Sequence, residues 1–200
     1  MGADKNHILL KDKPLVLHVV EACRVLCSPV ILAGRQGQVL PAGLESMHRV
    51  DDDGPISAGP FHGVINGLRV ARELGAERAF VLACDMPFVK PEILAKLDAA
   101  LTTDADAAVP LIDGRRQPFG GIYRTSVPAR FPSTLPQGKS PSLMSLLDDI
   151  RCVTVEVADL GDPGDVKHSL SNINSSADYE AAERWLEGDR DKDGRERRNT

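Results

Sequence analysis

Apolar residues recur along the first half of the chain with the spacing of helices and buried strands. Residues 14–26 place their apolar side chains at a helical period, with proline in the first turn. The short apolar runs PVILAG at 29–34 and AFVLAC at 79–84 are typical of buried parallel strands. Between them, residues 50–63 are rich in glycine, proline and aspartate, which predicts a loop followed by a helix to about Leu74.

The second half continues this alternation. The predicted elements are a helix that opens at Pro91, a strand at 106–112, an antiparallel strand GGIYRTSV, a late strand CVTVEV at 152–157, and a closing helix SADYEAAERWLEG capped by Ser175 or Ser176. Strands separated by helices of ten or more residues pair in parallel through right-handed crossovers. The fold class predicted is therefore α/β, a doubly wound and mostly parallel sheet.

Length and composition indicate one domain. The chain has 200 residues, of which 42% are hydrophobic, which is enough for a single core. We expect this domain to cover residues 1–187. Residues 188–200 mix both charges with almost no apolar side chains, so they predict a disordered tail.

The charge and the apolar runs argue against several classes of partner. A net charge of -5 provides no basic surface for nucleic acid. The longest apolar runs stop far short of the roughly 20 residues of a membrane span, and no apolar signal segment is present at the start. We therefore expect a cytoplasmic protein with no nucleic-acid or membrane partner. Cys23 and Cys27 share one helix face without histidines at ligand spacing, which favours core packing over metal binding.

Asp85 is the first candidate for chemistry. It follows the predicted strand AFVLAC, and in an open α/β sheet ligands bind at the carboxyl ends of the strands. A carboxylate there suits Mg²⁺, which needs few protein ligands when substrate phosphates supply the others. The alternative is that Asp85 caps the turn before Pro87.

Two polar segments could complete such a site. The loop DGPISAGPFHG contains glycines that let backbone approach a ligand, although it could be a tight surface turn. Of Asp51, Asp52 and Asp53 before it, one could bind a ribose hydroxyl or the donor edge of a guanine. Asn172 and Asn174 precede the closing helix, where an amide oxygen could join a metal shell or act as a helix cap.

Four segments in this order resemble the MobA-like nucleotidyltransferases, and most closely the molybdenum cofactor guanylyltransferases. In that family the chain starts with a strand and a loop of the form LAGGxSxRMGxDK, whose last part matches residues 1–5. The resemblance spans residues 1 to about 187 and implies a Rossmann-like nucleotidyltransferase fold from which the first strand is missing. The matching segments are MGADK at 1–5, GPFHG at 59–63, CDMPFV at 84–89 and NINSSADY at 172–179.

The resemblance implies a reaction and a role for individual residues. A phosphate on the molybdenum-pterin cofactor would attack GTP, and pyrophosphate would leave. Lys5 and Asp85 would be the catalytic residues, and Asp85 and Asn174 would lie on the Mg²⁺ side. The family also implies contacts with a cofactor carrier or a target enzyme. The nucleotide-binding residues implied are Lys5, Asp52, Gly59, Pro60, Gly63 and Asp85.

Two departures from the family keep alternatives open. The strand and the LAGG segment are absent before residue 1, and Ala33 stands where guanylyltransferases commonly carry an asparagine. One alternative is a cytidylyltransferase, or another transferase of the same fold for a small phosphate acceptor, although CDMP in place of the cytidylyl GDQP favours guanine. The others are a nucleotide-binding module without catalysis and a truncated chain that does not fold.

Overall fold

The chain folds into three layers, with strands in the middle and helices on both sides. The computed structural model describes residues 8–35, 37–45, 47–52, 59–131 and 142–196. The strands are β1 Leu9–Leu10, β2 Lys13–Pro14, β3 Ile31–Gly34, β4 His48–Asp51, β5 Arg78–Val81, β6 Ala107–Ile112, β7 Arg115–Arg116, β8 Gly121–Arg124 and β9 Cys152–Glu156. The helices are α1 Leu15–Leu26, α2 Phe61–Glu73, α3 Pro91–Ala100, α4 Leu143–Asp149, α5 Val157–Leu160, α6 Pro163–Ser169 and α7 Ser176–Glu196. A 3-10 turn covers Val127–Arg130.

The strands form separate sheets. β1 and β2 form a small antiparallel pair, and β3 and β4 form a parallel pair. The larger sheet has the order β5-β8-β6-β7, and β9 pairs with β6 in parallel. Because β8 is antiparallel to both β5 and β6, the strands β5, β6 and β9 point in one direction.

Alternating side chains of the larger sheet reach two cores. On one face, Ala108 of β6 packs with residues of α1, α3, α5 and α6. On the other face, Ala107 and Val109 pack with residues of α2 and α4. This alternation follows from the period of two along a strand, and it gives the sheet a helical layer on each side.

The α/β class predicted from the sequence is confirmed, but the mostly parallel sheet is not what the described residues form. The pairs β5–β8, β6–β8 and β6–β7 are antiparallel, and only β3–β4 and β6–β9 are parallel. The reason is that β8 returns between β5 and β6 after the tight β6–β7 hairpin. Asp113 and Gly114 adopt left-handed backbone in that hairpin, with φ of 49° and 72°.

Two segments differ from the prediction for local reasons. His48–Asp51 forms β4, although three of its four side chains are exposed and only Val50 is buried. The closing helix continues to Glu196, where we expected a disordered tail to start at 188. Extension of an existing helix needs no new nucleation step, and the helix continues here although Gly188 and Gly194 have poor helix propensity. Along the described part of the chain, no helix combines the length and apolarity required to cross a membrane.

Candidate functional site

Asp85 lies in the loop after β5, at the carboxyl end of that strand. The residue is buried, with 6% of its surface exposed. Its carbonyl accepts a hydrogen bond of 2.9 Å from the N–H of Ile173, whose side chain packs in a buried cluster with Leu10 and Leu15. This bond makes the loop after β5 a neighbour of the segment Asn172–Asn174.

Asp52 lies where β3, β4 and α2 meet. It follows β4 directly, and its N–H donates a hydrogen bond of 2.7 Å to the carbonyl of Gly34, the last residue of β3. A Cβ atom added to Gly63, in the first turn of α2, would lie 3.4 Å from Oδ2 of Asp52. The partial positive charge at the amino end of a helix stabilises a nearby carboxylate. Asp52 is therefore held close to the amino end of α2.

The glycine-rich loop is described from Gly59 onward. Gly59 has a φ of +57°, a left-handed conformation that favours glycine. Pro60 follows as the residue before α2, and its carbonyl accepts a hydrogen bond of 3.1 Å from the N–H of Val64. Residues 53–58 of this loop, and Lys5 at the start of the chain, lie outside the described residues.

One cavity of about 770 Å³ joins the two acidic residues. Asp52, Pro60 and Gly63 line it together with Asp85 and Asn172. Its volume lies in the usual range for pockets that bind small molecules, which is about 300–1,000 Å³. Asp85, which the sequence analysis placed at the carboxyl end of a strand, therefore shares a single cavity with residues of the predicted glycine-rich loop.

The amide in this cavity is that of Asn172. Among the described residues that line the cavity, Asn174 is not included. Asn174 is exposed, and its N–H donates a hydrogen bond of 3.0 Å to Oδ2 of Asp178 at the start of α7. The sequence carries two amides on either side of the buried Ile173, and its pattern alone does not distinguish which of them faces the cleft.

The oxygen donors at this end of the cavity suit a hard divalent cation. The carboxylate of Asp85 and the amide oxygen of Asn172 are ligands that Mg²⁺ accepts. Among the described residues, no group of three or more His, Cys, Asp or Glu side chains is arranged to hold a metal. A cation here would therefore need further oxygens, such as those of substrate phosphates.

The apolar part of the cavity runs between β3 and β5. Every residue of 29–35 and of 78–85 lines it. Successive side chains of a strand point to opposite faces of a sheet, so a cavity on one face alone would contact only every second residue. The cavity therefore meets the edges of both strands. Within the described residues, β3 pairs only with β4, and β5 pairs only with β8. We call this gap the inter-strand slot.

Helices close the inter-strand slot from both faces. Leu32 of β3 packs with Val20 of α1, whereas Ala33 faces Gly63 of α2, where an added Cβ would lie 3.4 Å from its own. β5 likewise alternates between the core cluster of α1 and that of α2. The slot thus has two strand edges as its sides and apolar helix faces above and below.

Cys23 of α1 and Cys27, the residue directly after α1, line the apolar part of the cavity. The Sγ of Cys27 donates a hydrogen bond of 3.1 Å to the carbonyl of Cys23. The contact between the two thiols lowers the pKa of Cys27 to about 7 and, together with burial, raises the pKa of Cys23. Cys23 is buried in the same core cluster as Val19 and Leu94.

Comparison with known proteins gives one consistent family. Residues 1–152 match the MobA-like NTP transferase domain. A probable molybdenum cofactor guanylyltransferase of Mycobacterium ulcerans is 33% identical over 186 residues, which is 90% of this chain and 86% of that protein. A protein of the same description from Mycobacterium tuberculosis is 32% identical over 184 residues, which is 90% of this chain and 86% of that protein.

Solved structures agree on the fold. Molybdopterin-guanine dinucleotide biosynthesis protein A of Archaeoglobus fulgidus superimposes with a TM-score of 0.69 at 23% identity, covering 94% of this chain and 92% of that one. The 2-C-methyl-D-erythritol 4-phosphate cytidylyltransferase of Thermus thermophilus gives 0.63 at 18% identity, covering 92% and 94%. At these identities the likeness establishes the nucleotidyltransferase fold.

Proposed function

Because this chain belongs to the MobA-like NTP transferase family, we propose that it is a nucleotidyltransferase that transfers GMP from GTP to the phosphate of the molybdenum-pterin cofactor. The observation that carries this proposal is the shared cavity: the buried Asp85 and the nucleotide-side residues Asp52, Pro60 and Gly63 line the same hollow. The names of the curated relatives support guanine and the pterin acceptor.

We propose Mg²⁺ as the cofactor, with Asp85 as its protein ligand. The burial of this carboxylate supports the role, because a rigidly held oxygen in a partly desolvated site binds a cation well. The sequence resemblance implied Asn174 as the second residue on this side, and the cavity lining adds Asn172. When bound, Mg²⁺ would supply positive charge that offsets the negative charge of the substrate phosphates.

The protein's part in the reaction is to orient the two substrates and offset charge. The acceptor's phosphate oxygen forms a bond to the α-phosphorus of GTP, the bond from that phosphorus to the β-phosphate oxygen breaks, and pyrophosphate leaves. Asp52 and the loop from Gly59 to Gly63 would hold the nucleoside, and Lys5 would balance the charge that develops on the leaving pyrophosphate. None of these steps requires a covalent enzyme intermediate.

Nucleotidyl transfer by the Asp85→Ala variant tests this proposal. The assay measures release of pyrophosphate from GTP, CTP or ATP with free pterin cofactor, and Asp159→Ala, which removes an exposed carboxylate in α5, is the matched control. We expect Asp85→Ala to lose activity by a factor on the order of a hundred or more with an unchanged circular dichroism spectrum. Normal turnover in this variant would rule out the metal role.

The same nucleotide panel separates the alternatives. Faster transfer from CTP than from GTP would indicate a cytidylyltransferase of the same fold, as in the Thermus thermophilus neighbour. Binding of GTP without release of pyrophosphate would indicate a nucleotide-binding module without catalysis. Transfer from GTP to a different phosphate acceptor would keep the reaction class and change the substrate.

We also propose that an extended segment fills the inter-strand slot as an additional strand between β3 and β5. Both flanking strands offer an edge there, and an apolar segment could pack against α1 on one face and α2 on the other. Such a strand would join the two sheets into one and leave the polar end of the cavity for the nucleotide. The family resemblance predicts a strand of this kind.

Two proteins test the proposal of an additional strand in the inter-strand slot. One is the 200-residue chain, and the other is a chain extended upstream in the same reading frame. We expect the extension to raise the melting temperature, tighten GTP binding and protect the backbone amides of residues 31–34 and 78–81 from hydrogen exchange. Identical melting temperatures and identical exchange in both chains would contradict the additional strand.

A further inference from the structure

The carboxyl end of β3 carries an amide side chain that the sequence analysis did not single out. Gln38 lines the same cavity as Asp52 and Asp85. Its Oε1 accepts a hydrogen bond of 3.2 Å from the N–H of Arg35. A Cβ atom added to Gly34 would lie 2.8 Å from this oxygen, closer than side chains tolerate. The amide of Gln38 therefore lies over the end of β3, in a space that glycine at position 34 leaves open.

The turn that carries Gln38 is held by the neighbouring strand. The N–H of Gln38 donates a hydrogen bond of 3.1 Å to the carbonyl of Arg35. The guanidinium of Arg49, in β4, donates from Nη2 to the carbonyl of Arg35 at 2.6 Å and from Nη1 to the carbonyl of Gln38 at 2.8 Å. Asp51 lies 3.5 Å from Nε of Arg49. The carbonyls at both ends of the turn, those of Arg35 and Gln38, thus accept hydrogen bonds from the side chain of Arg49.

Gly34 lies next to both the amide of Gln38 and the backbone of Asp52. Its carbonyl accepts the hydrogen bond from the N–H of Asp52, and its Cα lies under the amide of Gln38. An amide and a carboxylate therefore flank one residue at the polar end of the cavity. The two side chains carry N–H donors and oxygen acceptors, and both residues line the cavity.

We propose that Gln38 determines the base specificity of this site, by donating from Nε2 to O6 of a guanine whose N1–H and N2–H groups are accepted by Asp52. This proposal rests on the proposed function. Guanine presents an acceptor at position 6 and donors at positions 1 and 2. Adenine presents an amino donor at position 6 and no N1–H, so both contacts would fail.

The hydrogen bond from the N–H of Arg35 also opposes the amide orientation of Gln38 that would suit adenine. Rotation by 180° would exchange Oε1 and Nε2, and it would place an N–H group against the N–H of Arg35. The loss of that bond opposes the rotation, because a polar group left without its partner costs more than the bond itself contributes. The orientation that places Oε1 on Arg35 is the one that presents a donor elsewhere.

The test compares the affinities of GTP, ITP and ATP for wild-type chain and for Gln38→Glu, Gln38→Leu and Gly34→Ala. We expect the GTP-over-ATP preference to fall about tenfold or more in both Gln38 variants, since a hydrogen bond in a site of this kind discriminates by about that factor. Gly34→Ala should lower it in the same direction by displacing the amide. The control Gln117→Leu makes the same replacement at an amide outside the cavity lining and should keep the preference.

ITP distinguishes the contact of Gln38 with O6 from the contact of Asp52 with the 2-amino group. It retains O6 and N1–H but lacks the 2-amino group, so Gln38→Leu should weaken ITP and GTP by the same factor. The negative charge of Gln38→Glu would repel all three triphosphates, and the ratio of affinities cancels that effect. An unchanged GTP-over-ATP preference in Gln38→Leu, with GTP still bound, would overturn the role of Gln38. A wild-type chain with no preference for GTP would overturn the proposed function itself.

Discussion

Replacement of Gly120 by alanine is expected to destabilise the protein far more than the same replacement of Gly114. Both glycines have left-handed backbone, with φ of +82° and +72°. They differ in their surroundings, because a Cβ atom on Gly120 would lie 2.8 Å from Cδ2 of Leu170 and 3.5 Å from Cε of Met86, whereas nothing lies within 4 Å of one on Gly114. The pair therefore separates backbone strain from steric overlap.

The magnitudes follow from these two effects. A left-handed alanine costs about 1–2 kcal/mol relative to glycine, which is the whole effect expected for Gly114→Ala. Overlap in a packed core adds about 1–3 kcal/mol, so Gly120→Ala should lose about 2–5 kcal/mol. Leu170 is 7% exposed and Met86 is 1% exposed, so neither side chain has room to turn away.

Urea denaturation measures the difference. Fluorescence of Trp185, the single tryptophan, and far-UV circular dichroism should give coincident transitions for a two-state unfolding. The free energy of unfolding is then compared among wild type, Gly114→Ala and Gly120→Ala at an unchanged slope against urea concentration. Equal losses in the two variants would refute the overlap at Gly120, and with it the packing of this residue, which precedes β8, against Leu170.

Three further replacements test other contacts. Burial, with a smaller effect from Lys90, holds the pKa of His168 below its ordinary value in the folded protein. The contribution of the neutral His168 to the free energy of unfolding is therefore complete above the unfolded pKa near 6.5, and it is lost as the pH falls through the pKa of the folded state. Melting temperatures should therefore drop less between pH 7 and pH 5 in His168→Phe than in wild type. Asp106→Ala should cost about 2–3 kcal/mol in urea denaturation, because this buried carboxylate accepts a hydrogen bond of 2.8 Å from Arg130. Ser142→Ala should cost about 1 kcal/mol by removing the cap of α4. A stability equal to that of wild type in either of these two variants would contradict its contact.

Elements with a strong local signal could be predicted from the sequence. The helices at Leu15–Leu26 and Pro91–Ala100 begin at or directly after a proline and repeat apolar side chains at a helical period, and both are confirmed. The strands Ala107–Ile112 and Cys152–Glu156 are apolar or β-branched runs and are confirmed as well. The family resemblance, carried by short ordered segments, is confirmed by the match over residues 1–152.

Other elements depend on partners that are distant in the sequence. His48–Asp51 is mostly polar, and it becomes a strand because β3 offers an edge to pair with. The position of Asp85 at a strand end was predictable, whereas Asp52 was expected inside a loop and lies at the end of β4. Gln38 carried no signal, because its role follows from a backbone bond to Arg35 and from the absence of a side chain at Gly34.

The sequence by itself determined the helices α1, α2, α3 and α7, the strands β3, β5, β6, β8 and β9, the α/β class and the family, because these follow from local periodicity and from residue types at short spacing. Only the tertiary structure decided that β8 lies antiparallel between β5 and β6, that Asn172 and not Asn174 lines the cavity, and that β3 and β5 face each other across a slot. Strand order, the facing of side chains and the shape of a cavity are set by contacts between residues far apart in the chain, and local patterns do not contain them.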